Sequence, residues 1–144
     1  MVETGAVLGL RTQDGRRPRV ALVGGSPSSA MVAGVLIEQF GCASLPARRG
    51  GDVLALLASR EPIDLVVVDV TGNDDALSTS ELIGTLGAGQ PPVVALAESS
   101  AAPKRAFRFA RYAGTVAKPY SPRELYGAMR HALEGASTSA AGTA

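Results

Sequence analysis

Asp64-Leu65-Val66-Val67-Val68-Asp69-Val70 is the stretch on which the reading of this chain turns. Five of its seven residues are apolar and four of those are Val, whose branched Cβ is stiff at χ1 and fits a pleated surface. A near-continuous apolar run of this length predicts a strand buried on both faces, the kind found in parallel sheets covered by helices. Asp69 stands at the end of the run. An isolated buried charge is too costly, so this carboxylate must emerge at the sheet edge or be paired. In open α/β sheets ligands gather at the carboxyl ends of the strands, which makes Asp69 the first candidate functional residue.

Outward from this strand the chain alternates. Arg19–Val23 (RVALV) predicts a first strand, stopped by Gly24-Gly25. Ser26 then reads as an N-cap with Pro27 at the first helical position. Met31, Val32, Val35, Leu36 and Phe40 recur at helical spacing, and Gly41 supplies a C-terminal stop. Cys42–Pro46 predicts a short strand that Pro46 confines to an edge. Val53, Leu54, Leu56 and Leu57 give a second helix, and Ser78 with Glu81 a capping box for a third. Pro92–Ala97 predicts a fourth strand, Ser99–Tyr112 contains a fourth helix, and Gly114–Ala117 is a short fifth strand running into Lys118-Pro119-Tyr120. Ser121-Pro122-Arg123-Glu124 is a second capping box, opening a helix through Leu133 that stops at Gly135. Strand–helix alternation of this kind implies one α/β domain, a parallel sheet with helices on both faces in three layers. Its expected limits are residues 19–134, between a flexible N-terminal tail (1–18) and a flexible, low-complexity C-terminal tail (135–144).

Composition narrows the function classes. The chain has 144 residues, 46% of them hydrophobic, and no apolar run near the roughly 18 residues of a membrane span. One cysteine, Cys42, and one histidine, His131, exclude an intrachain disulfide and a His/Cys metal cluster. A lone cysteine fits a reducing cytoplasm. Net charge is +1, with −4 over residues 1–100 and +5 over 101–144. That excess is weaker than nucleic-acid binding usually wants. The basic side chains Lys104, Arg108 and Arg111 recur at i, i+4 and i+7, with Arg105 alongside. This stripe is either a solvated face or a surface for an acidic protein partner.

The Asp ending the third strand, the apolar fourth strand after Pro91-Pro92, and Lys118-Pro119-Tyr120 before a capped final helix occur in this order. With them the chain resembles the receiver domain of bacterial two-component response regulators over Arg19–Leu133. The resemblance implies a flavodoxin-like (βα)5 fold with a five-stranded parallel sheet, no enzyme activity of its own, and a phosphorelay role. It implies that Asp69 occupies the position that accepts a phosphoryl group from a histidine kinase, and Lys118 the position that contacts that group. Its implied partners are a histidine kinase or a downstream signalling protein, or a second copy of the chain through the fourth and fifth helices, with neither nucleic acid nor membrane.

The departures are as specific as the matches. The family's metal-holding acidic pair aligns on Gly24 and Gly25, its strand-four hydroxyl on Ala97, and its aromatic switch residue on Thr115. Mg²⁺ is a hard cation held by one or two carboxylates plus phosphate oxygens. With Asp69 alone and Lys118 beside it, the local charge is about zero, so Mg²⁺ binding is expected to be weak or absent. Phosphoryl transfer relies on positioning and on neutralising the equatorial oxygens, largely by the metal. The expectation is therefore a receiver that signals by protein contact, with little or no phosphorylation of Asp69. Two alternatives stay open: a working acceptor whose metal ligands are rebuilt from Asp74, Asp75 or Glu98, and a phosphate or nucleotide cradle at the Gly24–Ser29 turn. The turn lacks both phosphate-loop spacings, and a tight turn is its plainer account. Solvated loops are the plainer account of Asp74, Asp75, Glu98 and Ser99. His131 reads as an exposed helical residue and Cys42 as packed and inert.

Overall fold

A computed structural model describes residues 9–24, 26–47, 52, 55–56, 58, 62–69, 91–98 and 113–143. The strands are β1 (Arg19–Gly24), β2 (Ala43–Ala47), β3 (Leu65–Asp69), β4 (Val93–Glu98) and β5 (Gly114–Lys118). The helices are α1 (Pro27–Gln39) and α2 (Pro122–Thr143). All strand pairs are parallel, in the order β2-β1-β3-β4-β5, so the valine-rich strand lies at the centre and the Pro46 strand at an edge. The predicted third and fourth helices lie outside the described residues. Of the predicted second helix, Asp52, Ala55 and Leu56 are described and helical.

Strand alternation divides the core in two. Leu65 and Val67 face one cluster with Ile37 of α1, Phe40 at its C-cap, and Leu125 and Met129 of α2. Val66 and Val68 face the other with Ala21, Val23, Ile63 and Val93. All five residues of β3 are buried, because period-2 side chains on a strand covered from both sides have no solvent face.

Local chemistry sets the helix ends. The Ser26 hydroxyl accepts from the Ser29 backbone N–H at 3.2 Å, and Pro27 follows, satisfying an otherwise unpaired donor of the first turn. At the other end Cys42 N–H donates to the Ile37 carbonyl and Gly41 N–H to that of Glu38. This Schellman arrangement needs the left-handed φ of +89° at Gly41. In α2, Ser121 and Glu124 exchange side-chain–backbone hydrogen bonds at 2.8 and 3.1 Å, the predicted capping box.

Two expectations are corrected. Residues 9–18 lie against the domain where a flexible tail was expected: Leu10 is 5% exposed and packs in the first cluster. Its N–H donates to the Phe40 carbonyl, Ala43 N–H donates to the Pro18 carbonyl, and Arg16 pairs with Asp64 at 3.1 Å. Leu10 follows Ala6-Val7-Leu8-Gly9 and precedes the polar run Arg11–Arg17, so no sustained periodicity marked it. Second, α2 runs on to Thr143, through the expected stop at Gly135. Gly135 lacks the positive φ of a C-terminal cap, so it lowers helix propensity without ending the helix. On α1, Met31, Val32 and Val35 are 70, 56 and 51% exposed, while Ala33, Ile37 and the C-cap residue Phe40 are buried. Apolar residues surround much of this helix, and spacing alone could not select the stripe that meets the sheet.

Leu10→Ala is expected to lower unfolding stability by about 2–3 kcal/mol, as for other buried leucines, measured by urea denaturation; an unchanged midpoint would return residues 9–18 to the status of a tail. Burial pushes the Cys42 thiol up to about 11. The reactive thiolate is then scarce, so Cys42 should resist a disulfide reagent at about pH 8 until the chain unfolds.

Candidate functional site

Asp69 closes β3, and only 3% of its surface is exposed. Alternation along the strand puts its side chain on the face of Leu65 and Val67, the face covered by α1 and α2. Lys118 ends β5 and reaches back across the carboxyl edge of the sheet. Its Nζ donates to Asp69 Oδ2 at 2.5 Å. The two side chains are 4% and 21% exposed, so the pair is largely screened from water. A third group joins them. Ser29 Oγ, from the first turn of α1, donates to the same Oδ2 at 3.0 Å and accepts from Lys118 Nζ at 3.2 Å. Burial and the negative charge of Asp69 both push the Tyr120 phenol upward, so Tyr120 borders the same cluster.

Sequence reasoning brought Asp69 and Lys118 to one place, and there the structure puts them. Ser29 was read only as part of the capped turn. The signal available was a surplus of hydroxyls: Ser26, Ser28 and Ser29 begin a helix that needs one cap. Gly24 pairs in register with Asp69, which puts the aligned acidic position beside the acceptor position, and its φ is +79°. That left-handed conformation suits glycine and strains an L side chain. Gly25 lies outside the described residues. Ala97 pairs in register with Ala117, and Glu98 with Lys118; Thr115 is exposed on β5. Lys104, Arg105, Arg108, Arg111, Asp74, Asp75 and Ser99 lie outside the described residues. Ser26 Oγ caps α1 and Ser29 Oγ binds Asp69, so both hydroxyls are engaged by groups of the protein.

Among the described residues no group of three His, Cys, Asp or Glu is placed to hold a metal ion, and no helix is long and apolar enough to cross a membrane. Two surface clefts, between residues 9–13 and α2 and between α1 and β2, are lined by none of Ser29, Asp69 and Lys118.

The backbone is similar to solved receiver domains. A signal receiver domain of an HD domain-containing protein from Pseudomonas fluorescens superposes with a TM-score of 0.72 at 25% identity, over 85% of this chain and 99% of that one. The N-terminal domain of a response regulator/sensory box/GGDEF three-domain protein from Carboxydothermus hydrogenoformans gives 0.72 at 19%, over 85% and 98%. A CheY-like response regulator receiver domain from Methanospirillum hungatei gives 0.70 at 18%, again over 85% and 98%. The fold is that of a receiver domain, a flavodoxin-like α/β sheet. No family model matches the sequence, and no curated protein matches it.

Removing one member of a buried ion pair strands the other. Lys118→Ala is therefore expected to cost about 3–5 kcal/mol of unfolding stability, whereas the double change Asp69→Asn/Lys118→Met should cost much less. Urea denaturation of the single and double variants measures both, and equal losses would show that Asp69 does not depend on Lys118.

Proposed function

We propose that this chain is an atypical receiver module of two-component signalling, acting through protein contacts, with weak or no Mg²⁺-dependent phosphorylation at Asp69. The observation that carries the reading is the engagement of Asp69 by Lys118 and Ser29 beside a glycine of positive φ. A receiver that binds Mg²⁺ needs further carboxylates around the acceptor so that the cation is attracted and held. Here the carboxylate at the end of β3 already has a compact cation at hydrogen-bond distance on Oδ2, and that charge opposes the approach of a metal. Without the metal, charge on the transferring phosphoryl oxygens goes largely uncompensated, which removes most of the assistance such a transfer relies on.

The module is accordingly proposed as a binding component and not an enzyme, without a resident cofactor and acting in the cytoplasm. Its partner would be a histidine kinase or a downstream signalling protein. The basic side chains Lys104, Arg105, Arg108 and Arg111 offer an acidic protein surface its electrostatic complement.

Incubation with a small-molecule phosphodonor, with and without Mg²⁺, followed by intact-mass measurement, tests the proposal. The expected result is no Mg²⁺-dependent phosphoryl adduct on the wild type, matching Asp69→Ala. An adduct that requires Mg²⁺ and disappears in Asp69→Ala would overturn it in favour of a working acceptor with ligands rebuilt from Asp74, Asp75 or Glu98.

A further inference from the structure

We propose that Ser29 is the positioning residue of this site: its hydroxyl bridges Asp69 and Lys118 where a metal ion would otherwise organise the carboxylate, and it holds Asp69 in the ion pair. The inference rests on the reading of Asp69 as a silent acceptor and names the group that keeps it so.

A serine hydroxyl carries one donor and two acceptor lone pairs, and Ser29 Oγ uses both functions. It donates to Asp69 Oδ2 at 3.0 Å and accepts from Lys118 Nζ at 3.2 Å, while Lys118 donates to Oδ2 at 2.5 Å. Hydrogen bonds to ionised partners are roughly twice as strong as neutral ones, and here three of them close a ring. Oδ2 thus receives two donors, which occupy its lone pairs and lower its nucleophilicity. The ring also joins the first turn of α1 to the ends of β3 and β5. Its hydroxyl is well placed because the backbone of Ser29 is held independently, its N–H bonded to the Ser26 cap. Substitution of the Ser29 side chain therefore leaves the helix start intact.

The chain provides its own reference for a test, since Lys118 and Lys104 are its two lysines. The folded full-length chain is treated with a limiting amount of the N-hydroxysuccinimide ester of acetic acid. The unprotonated ε-amine attacks the ester carbonyl, an amide forms, N-hydroxysuccinimide leaves and the amine proton passes to buffer. Peptide mass spectrometry then reads the Lys118:Lys104 acetylation ratio. Ser29→Ala is expected to raise that ratio by about tenfold, the factor one hydrogen bond to a charged group commonly carries, and Ser29→Thr, which keeps the hydroxyl, to bring it back towards wild type. A ratio unmoved by Ser29→Ala, or raised equally by Ser29→Thr, would overturn the bridge. The two readings fail separately. A Mg²⁺-dependent adduct on the wild type removes the silent acceptor even where the ratio behaves as expected, and an unmoved ratio removes the bridge even where no adduct forms.

Discussion

β3 is buried on both faces, so the carboxylate at its end cannot rely on bulk water and must find its counter-charge within the protein. An unpaired ionised carboxylate in such surroundings would be too costly to keep, and Lys118 on β5 provides the compensation at 2.5 Å. Much of the architecture follows from this constraint. β5 must run two residues past the level of Asp69, with β4 between them, so that Lys118 can reach back, and α1 must begin close enough for Ser29 to reach the same oxygen. A buried ion pair is weak evidence of net stability, since desolvation offsets much of the Coulomb gain. What it does enforce is geometry, because each member is costly without the other.

The same cluster explains why the surrounding positions look as they do. A receiver that binds a divalent cation keeps several carboxylates close together and tolerates their repulsion until the metal arrives. Here the aligned position next to Asp69 is Gly24, whose φ of +79° favours the one residue without a Cβ. Asp69 has the Lys118 ammonium and the Ser29 hydroxyl as partners within the protein. Lysine suits this role better than arginine, since a compact point charge fits beside a buried carboxylate where a planar guanidinium fork needs more room.

Around this centre the remaining surface is unevenly finished. Residues 9–18 brace the sheet through Leu10 and through Arg16 on Asp64, and Asp64 also accepts from the Arg19 backbone N–H at 2.9 Å. Phe40 and Tyr126 meet edge-to-face at 5.2 Å, locking α1 to α2 with the quadrupole geometry aromatic pairs prefer. On its far side α1 leaves Met31, Val32 and Val35 exposed.

The sequence by itself determined the parallel α/β class, the burial of the third strand on both faces and the capping of both described helices. These are consequences of local rules: hydrophobic period and proline and serine at helix starts act within a few residues or a single strand. The meeting of Asp69 with Lys118, 49 residues apart, was implied by the resemblance to receiver domains. The tertiary structure alone decided the rest. Ser29 lies 40 residues from Asp69 and 89 from Lys118 along the chain, and no local pattern distinguishes a serine that caps a helix from one that reaches a neighbouring strand. Leu10 in the core, the exposed outer stripe of α1 and the continuation of α2 past Gly135 were hidden for the same reason. Which of several apolar or polar groups finds a partner depends on what the rest of the chain places opposite it, and that is a property of the packed molecule.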